Sequence, residues 1–125
     1  VRSRRQRQMC IRDSFERAIH HEVFHIINDS HKELFKKKEW ETFNKKKFRY
    51  SKCSTCTDNL NLELYNKTDG FLTEYSKSTV SEDMAEVYSH LMFYGSKTFI
   101  NDPILAKKIQ FIKNNILKID NTFKF

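Results

Sequence analysis

Two glycines and one proline are all that the 125 residues contain. A chain so poor in turn formers cannot supply the many tight turns of a β-sandwich, so helices are favoured. No run of about 18 apolar residues occurs, which excludes a membrane-spanning helix. Cysteine is scarce too: Cys10, Cys53 and Cys56. The last two form a single CxxC with no second pair to complete a Cys₄ zinc site, so they are expected to be incidental or structural thiols in a loop. Acidic residues are outnumbered, 16 against 23 basic ones, and the net charge is +7.

That charge invites a nucleic-acid reading, but its distribution argues against one. Residues 1–14, VRSRRQRQMCIRDS, hold five arginines and one aspartate, which leaves only +3 on the rest. Residue usage changes at the same place. The start has no lysine, whereas the remainder is rich in Lys and Asn, with Arg only at 17 and 49. The segment resembles a translated sequencing-adapter read. It is expected to be a non-native, disordered basic arm, set apart from a domain over 15–125. On that reading the true N-terminus is absent. The whole chain is 38% hydrophobic and 14% aromatic, enough for one small core.

Helical spacing dominates. Asp13-Ser14-Phe15-Glu16 has the form of an N-cap with a capping glutamate. Apolar residues follow at 15, 18, 19, 23, 26 and 27, so a buried helix is expected over about 14–30. A second helical piece is expected over 31–39, with Trp40 and Phe43 anchoring its exit. Residues 44–69 are polar and irregular, with a short extended segment available where Leu60, Leu62 and Leu64 alternate. Gly70 and FLTEYSKSTVS form a loop into a third helix running to about 94. Thr79 or Ser81 caps it, and Met84, Val87, Tyr88, Leu91 and Met92 form its apolar stripe. Asn101-Asp102-Pro103 starts a last amphipathic helix through Leu105, Ile109, Ile112, Ile116 and Ile119.

The first helix carries the chemistry. Residues 20–31 read HHEVFHIINDSH, and His21-Glu22-Val23-Phe24-His25 is an HExxH. Residues i and i+4 share a helix face, so His21 and His25 can aim two imidazoles at one point, as two corners of a zinc site require. Glu22 stands beside them, placed to take a proton from metal-bound water. A catalytic zinc needs a third protein ligand, and two candidates exist. His31 completes HExxHxxGxxH, the metzincin pattern, with Asn28 in place of the glycine. Asn tolerates the left-handed exit better than most residues. That pattern also needs a methionine turn, and Met84 and Met92 both fall in helical spacing. The other candidate is Glu82, which with Glu86 forms an i, i+4 pair on a separate helix, the gluzincin arrangement. Against it, Thr79-xx-Glu82 also fits a capping box, which would fold the Glu82 side chain back on its own helix.

HHEVFHII, then Trp40, Phe48 and Tyr50, then GFLTEYSKSTVSEDMAEVY, resembles the putative zinc-binding metallopeptidase family, whose members show HHExFH followed by GFVSxYAxxxxxEDxAE. The chain is also similar to the catalytic domain of anthrax lethal factor in having a Tyr seven residues before the ExxAE glutamate. The likeness spans about residues 18–119. It implies a gluzincin-type hydrolase of peptide bonds. Zn²⁺ would be held by His21, His25 and Glu82. Glu22 would be the base, and Tyr75 would donate to the oxyanion or protonate the leaving amine. Glu86 and Asp29 would each orient a histidine through its other ring nitrogen. His20, His31 and His90 fall outside this set, and His31 and His90 are expected at the surface. The resemblance also implies a secreted or cell-envelope protein acting on peptide or protein substrates.

The expected fold is mainly α: an active-site helix, a glutamate helix and a C-terminal amphipathic helix. It would be a truncated zincin-like domain, with the β-sheet that normally precedes the active-site helix missing and the fragment expected to be poorly stable or inactive. The rival readings are a metzincin using His31, a metal-free basic binding module built on the arm and the Lys-rich 44–52 stretch, and a pseudoenzyme.

Overall fold

The structure is a computed structural model that describes residues 4–51, 63–95 and 101–125, with the backbone alone for 4–14. It is mainly helical, with no strand among the described residues. Helix α1 spans Arg4–Ser30, α2 Lys37–Glu41, α3 Val80–Tyr94 and α4 Pro103–Ile119, and a single 3-10 turn covers Tyr75–Lys77. No helix among the described residues is long and apolar enough to cross a membrane. Of the alternating leucines, Leu60 and Leu62 lie outside the described residues and Leu64 is irregular.

Helix α3 is central. It packs against α1, α2, α4 and the 3-10 turn, and every residue from Asp83 to Leu91 is buried. The apolar stripe of Met84, Val87, Tyr88 and Leu91 is buried as expected, and the polar side of the helix, with Asp83, Glu86 and Ser89, is enclosed as well. His90, expected at the surface, is buried for the same reason. Thr79 is the N-cap, its Oγ1 accepting from the Glu82 backbone N–H at 3.1 Å. Gly95 ends the helix at φ +83, a left-handed angle that suits glycine.

Helix α1 differs from the expectation in two ways. It begins at Arg4 rather than at the Asp13–Ser14 cap. It is also not buried all round. His21, Phe24 and Asn28 face inward, and Phe24 packs its ring against Phe35 at 5.2 Å and Tyr88 at 5.3 Å. Ala18, Ile19, Val23 and Ile26 lie on the exposed side, and Phe15 and Ile26 are 67% and 68% exposed. The apolar positions of this helix fall on more than one face. Spacing alone left its rotation open, and the turn of Phe24 into the core settled it.

The helix expected over 31–39 is a turn through residues 32–34 followed by the shorter α2, with Trp40 in its last turn packed against Phe43 beyond its end. Trp40 is fully buried. In α4, Asp102 caps as expected, one carboxylate oxygen accepting from the N–H groups of Ile104 and Leu105, both at 3.1 Å. Its second oxygen accepts from Thr68 Oγ1 at 2.7 Å and from the Gly70 N–H at 2.9 Å, which pins the loop before α3 to the start of α4. Gly70 is at φ +87, and a Cβ there would lie 2.7 Å from Ile104 Cγ2, so only glycine fits. Leu105, Phe111, Ile112 and Ile116 form the buried face of α4, whereas Ile119, expected on the apolar stripe, is 38% exposed at the helix end.

A buried ion pair joins these helices. Asp83 Oδ2 accepts from Lys108 Nζ at 2.8 Å, Tyr50 Oη at 2.6 Å and Trp40 Nε1 at 2.9 Å. Lys108 also donates to the Gly70 carbonyl at 2.6 Å and sits 3.9 Å above the Phe71 ring. Burial pushes the Asp83 carboxyl up, and Lys108 works against that shift. Removing one partner of such a pair leaves a charge with nowhere to go. Lys108→Met is therefore expected to cost about 3–5 kcal/mol in urea denaturation; a loss under about 1 kcal/mol would show that the pair does not hold the helices together. At Asp102, burial raises the carboxyl but its four donors outweigh this and hold it below the ordinary value. The stability it contributes is complete at neutral pH and drains away as pH falls below about 4. Wild type should lose stability across that range more steeply than Asp102→Asn; parallel curves would contradict this assignment.

Candidate metal centre

Two consecutive inward turns of α1 present His21 and His25. Their Nε2 atoms lie 3.1 Å apart, with the rings edge-on and centroids at 4.8 Å. The first turn of α3 brings Glu82 to the same point. Its Oε2 is 2.7 Å from His21 Nε2 and its Oε1 is 3.3 Å from His25 Nε2. One atom from each of the three residues falls within 4.8 Å of the others, a group that could hold a metal ion.

The capping-box objection is resolved by a division of labour. Thr79 makes its half of the box with the Glu82 backbone, but the Glu82 side chain turns to the histidines instead of folding back. The cap satisfies an orphan N–H and leaves the carboxylate free.

His21 is held at both ring nitrogens. Nε2 faces Glu82, while Nδ1 donates to Glu86 Oε2 at 3.0 Å. Burial opposes a charge on this ring, but the two carboxylates outweigh it and push its pKa up to about 9. Burial would likewise raise the Glu82 carboxyl; His21 and His25 hold it well below the usual carboxylate range. The other Glu86 oxygen accepts from Thr73 Oγ1 at 2.8 Å.

The remaining candidates divide. Tyr75, half-buried in the 3-10 turn, has its ring centroid 5.9 Å from that of His21. Glu22 is exposed on α1, and its side chain makes no hydrogen bond or ion pair among the described residues. Asp29 is also exposed, and no bond joins it to His25, so the orienting role expected of it has no contact behind it. His31 lies outside the group and approaches Glu33 at 3.7 Å. His20 is half-buried and does not belong to the group either. His90 is buried against the Tyr94 ring at 4.4 Å, with burial and Arg17 pushing it down to about 4. Met84 lies in the α3 core rather than in a turn beneath the cluster. Cys53 and Cys56 lie outside the described residues.

Sequence reasoning missed Thr73 and the Asp83–Lys108 pair. A buried threonine two residues before Tyr75 and a lysine inside an apolar stripe carry no spacing signal. Only the partner across the fold reveals either one.

Two imidazole nitrogens and a carboxylate oxygen are a zinc-type donor set. Bonds near 2.0–2.1 Å to a tetrahedral ion place neighbouring ligand atoms about 3.3 Å apart. The His21 and His25 Nε2 atoms, 3.1 Å apart, are near that spacing, and Glu82 sets one carboxylate oxygen 2.7 Å from the first and the other 3.3 Å from the second. One family model, described as putative zinc-binding metallo-peptidase, matches residues 2–118. No curated protein and no solved structure matches the chain.

Proposed function

The chain belongs to the putative zinc-binding metallo-peptidase family, and on that footing we propose that it is a gluzincin-type peptidase with His21, His25 and Glu82 as its zinc ligands and Glu22 as its base. The observation that carries the reading is the meeting of a carboxylate from α3 with two imidazoles from α1 inside 4.8 Å. The same set sits at the seam of two packed helices, where little side-chain motion is needed to bind.

When bound, zinc polarises a substrate carbonyl and makes water acidic enough to lose a proton near neutral pH. The chain supplies the rest. The Glu22 carboxylate, exposed and unengaged, takes the proton from the attacking water and returns it to the leaving amine. Tyr75, on the loop side of His21, donates a hydrogen bond to the oxyanion that develops on the carbonyl. Glu86 holds His21 Nδ1–H, which leaves Nε2 as the nitrogen available to the ion and strengthens it as a ligand. The substrate is a peptide or protein segment that reaches the group where the His25 and Glu82 side chains remain partly exposed.

Zinc content after dialysis and cleavage of an unstructured protein such as casein test this. Wild type and His31→Ala should retain about one zinc per chain, and Glu82→Ala should lose it. Glu22→Gln should keep zinc but hydrolyse at least about 100-fold more slowly, the usual worth of a positioned base. Zinc lost with His31→Ala and kept with Glu82→Ala would make the chain a metzincin. No zinc in wild type would end the peptidase reading.

A further inference from the structure

Thr73 belongs to none of the ligand or base positions, yet it is fully buried and its hydroxyl is a junction. It donates to Glu86 Oε1 at 2.8 Å, lies 3.1 Å from Ser76 Oγ and accepts from the Ser76 N–H at 3.2 Å. A hydroxyl has one proton and two lone pairs. With the proton committed to Glu86, both lone pairs are left for Ser76, one for its N–H and one for its O–H. The directions along the chain are then determined: Ser76 to Thr73, Thr73 to Glu86, and His21 Nδ1–H to the other Glu86 oxygen.

The two ends of this chain are parts of the proposed site. Ser76 lies within the 3-10 turn Tyr75–Lys77, next to Tyr75. His21 is one of the proposed ligands. The Glu86 carboxylate between them is buried, so neither oxygen can be left without a donor at small cost. Without the Thr73 hydroxyl, Glu86 Oε1 loses its donor, and the carboxylate has reason to rotate away from His21.

We infer that Thr73 is a positioning residue: its hydroxyl holds Glu86 in the rotamer that keeps His21 Nε2 turned to Glu82 and His25, and through Ser76 it ties the Tyr75-bearing turn to the same carboxylate. This deepens the peptidase reading and rests on it. The readout is zinc affinity, measured by competition with a chromophoric chelator. Thr73→Val, which keeps the shape and removes the hydroxyl, should weaken zinc binding about 10-fold, the low end for an outer partner of a metal-binding histidine. Thr73→Ser, which keeps the hydroxyl, should restore affinity to near wild type. In a Glu86→Ala background the Val substitution should cost nothing further, because the group it acts through is gone. Equal affinity in the Val and Ser variants would overturn the inference, as would a full loss that persists without Glu86. If the Val variant does not fold, Thr73→Ala against Thr73→Ser carries the same contrast. A wild type that binds no zinc defeats the peptidase reading, whereas a wild type that binds zinc with an indifferent Thr73→Val defeats only this one.

Discussion

A carboxylate sealed from water must be matched by donors, and at Asp83 three of them, from Trp40, Tyr50 and Lys108, meet on one oxygen. Those donors come from α2, from the loop after it and from α4, so a single acid sets where the first turn of α3 sits relative to three other parts of the chain. Glu82 is its immediate neighbour. Successive helical residues point about 100° apart, while residues four apart nearly align. Driving Asp83 into the core therefore swings Glu82 and Glu86 together onto the side that faces α1. The ion pair makes no contact with the His21–His25–Glu82 group; its part is to set the rotation of the helix that presents the acids.

Opposite α3, helix α1 is held more simply. Phe24 is its main anchor, between Phe35 and Tyr88, and the imidazoles of His21 and His25 flank it. An aromatic plug needs apolar surroundings, whereas the histidines need polar ones. Both demands are met because Glu82, Glu86 and Thr73 form a narrow polar seam beside the aromatic layer. His21 is buried within that seam with a partner at each nitrogen, which is the condition for burying a polar ring at tolerable cost. The apolar residues on the far side of α1, Phe15, Ile19, Val23 and Ile26, take no part in this packing.

The loop before α3 is as constrained as the helices, although it has almost no regular structure. Asp102 grips its Thr68–Gly70 end, Lys108 takes the Gly70 carbonyl, Tyr65 N–H bonds to the Leu72 carbonyl at 2.8 Å, and Thr73 reaches Glu86. Tyr75 follows directly. Its place near His21 is thus inherited from bonds made on either side of it, and Ser78 adds one more by donating to the Tyr75 carbonyl at 2.7 Å.

Some of this was readable in the residues alone. The i, i+4 spacing put His21 and His25 on one face, Asp102-Pro103 started α4 where the structure starts it, and the scarcity of glycine and proline pointed to a helical fold. These are short-range matters, decided by helical period and cap chemistry within a few residues. The tertiary structure decided the rest, since each of these features depends on a partner far along the chain. It placed Glu82, and not His31, beside the histidines. It gave Thr79 half a capping box so that the Glu82 side chain could leave. It turned α1 about Phe24, exposing Ile19 and Ile26, and enclosed α3 so fully that His90 went inside. Helical spacing tells which residues share a face, but which way that face turns is set by what packs against it, and that is a property of the assembled core.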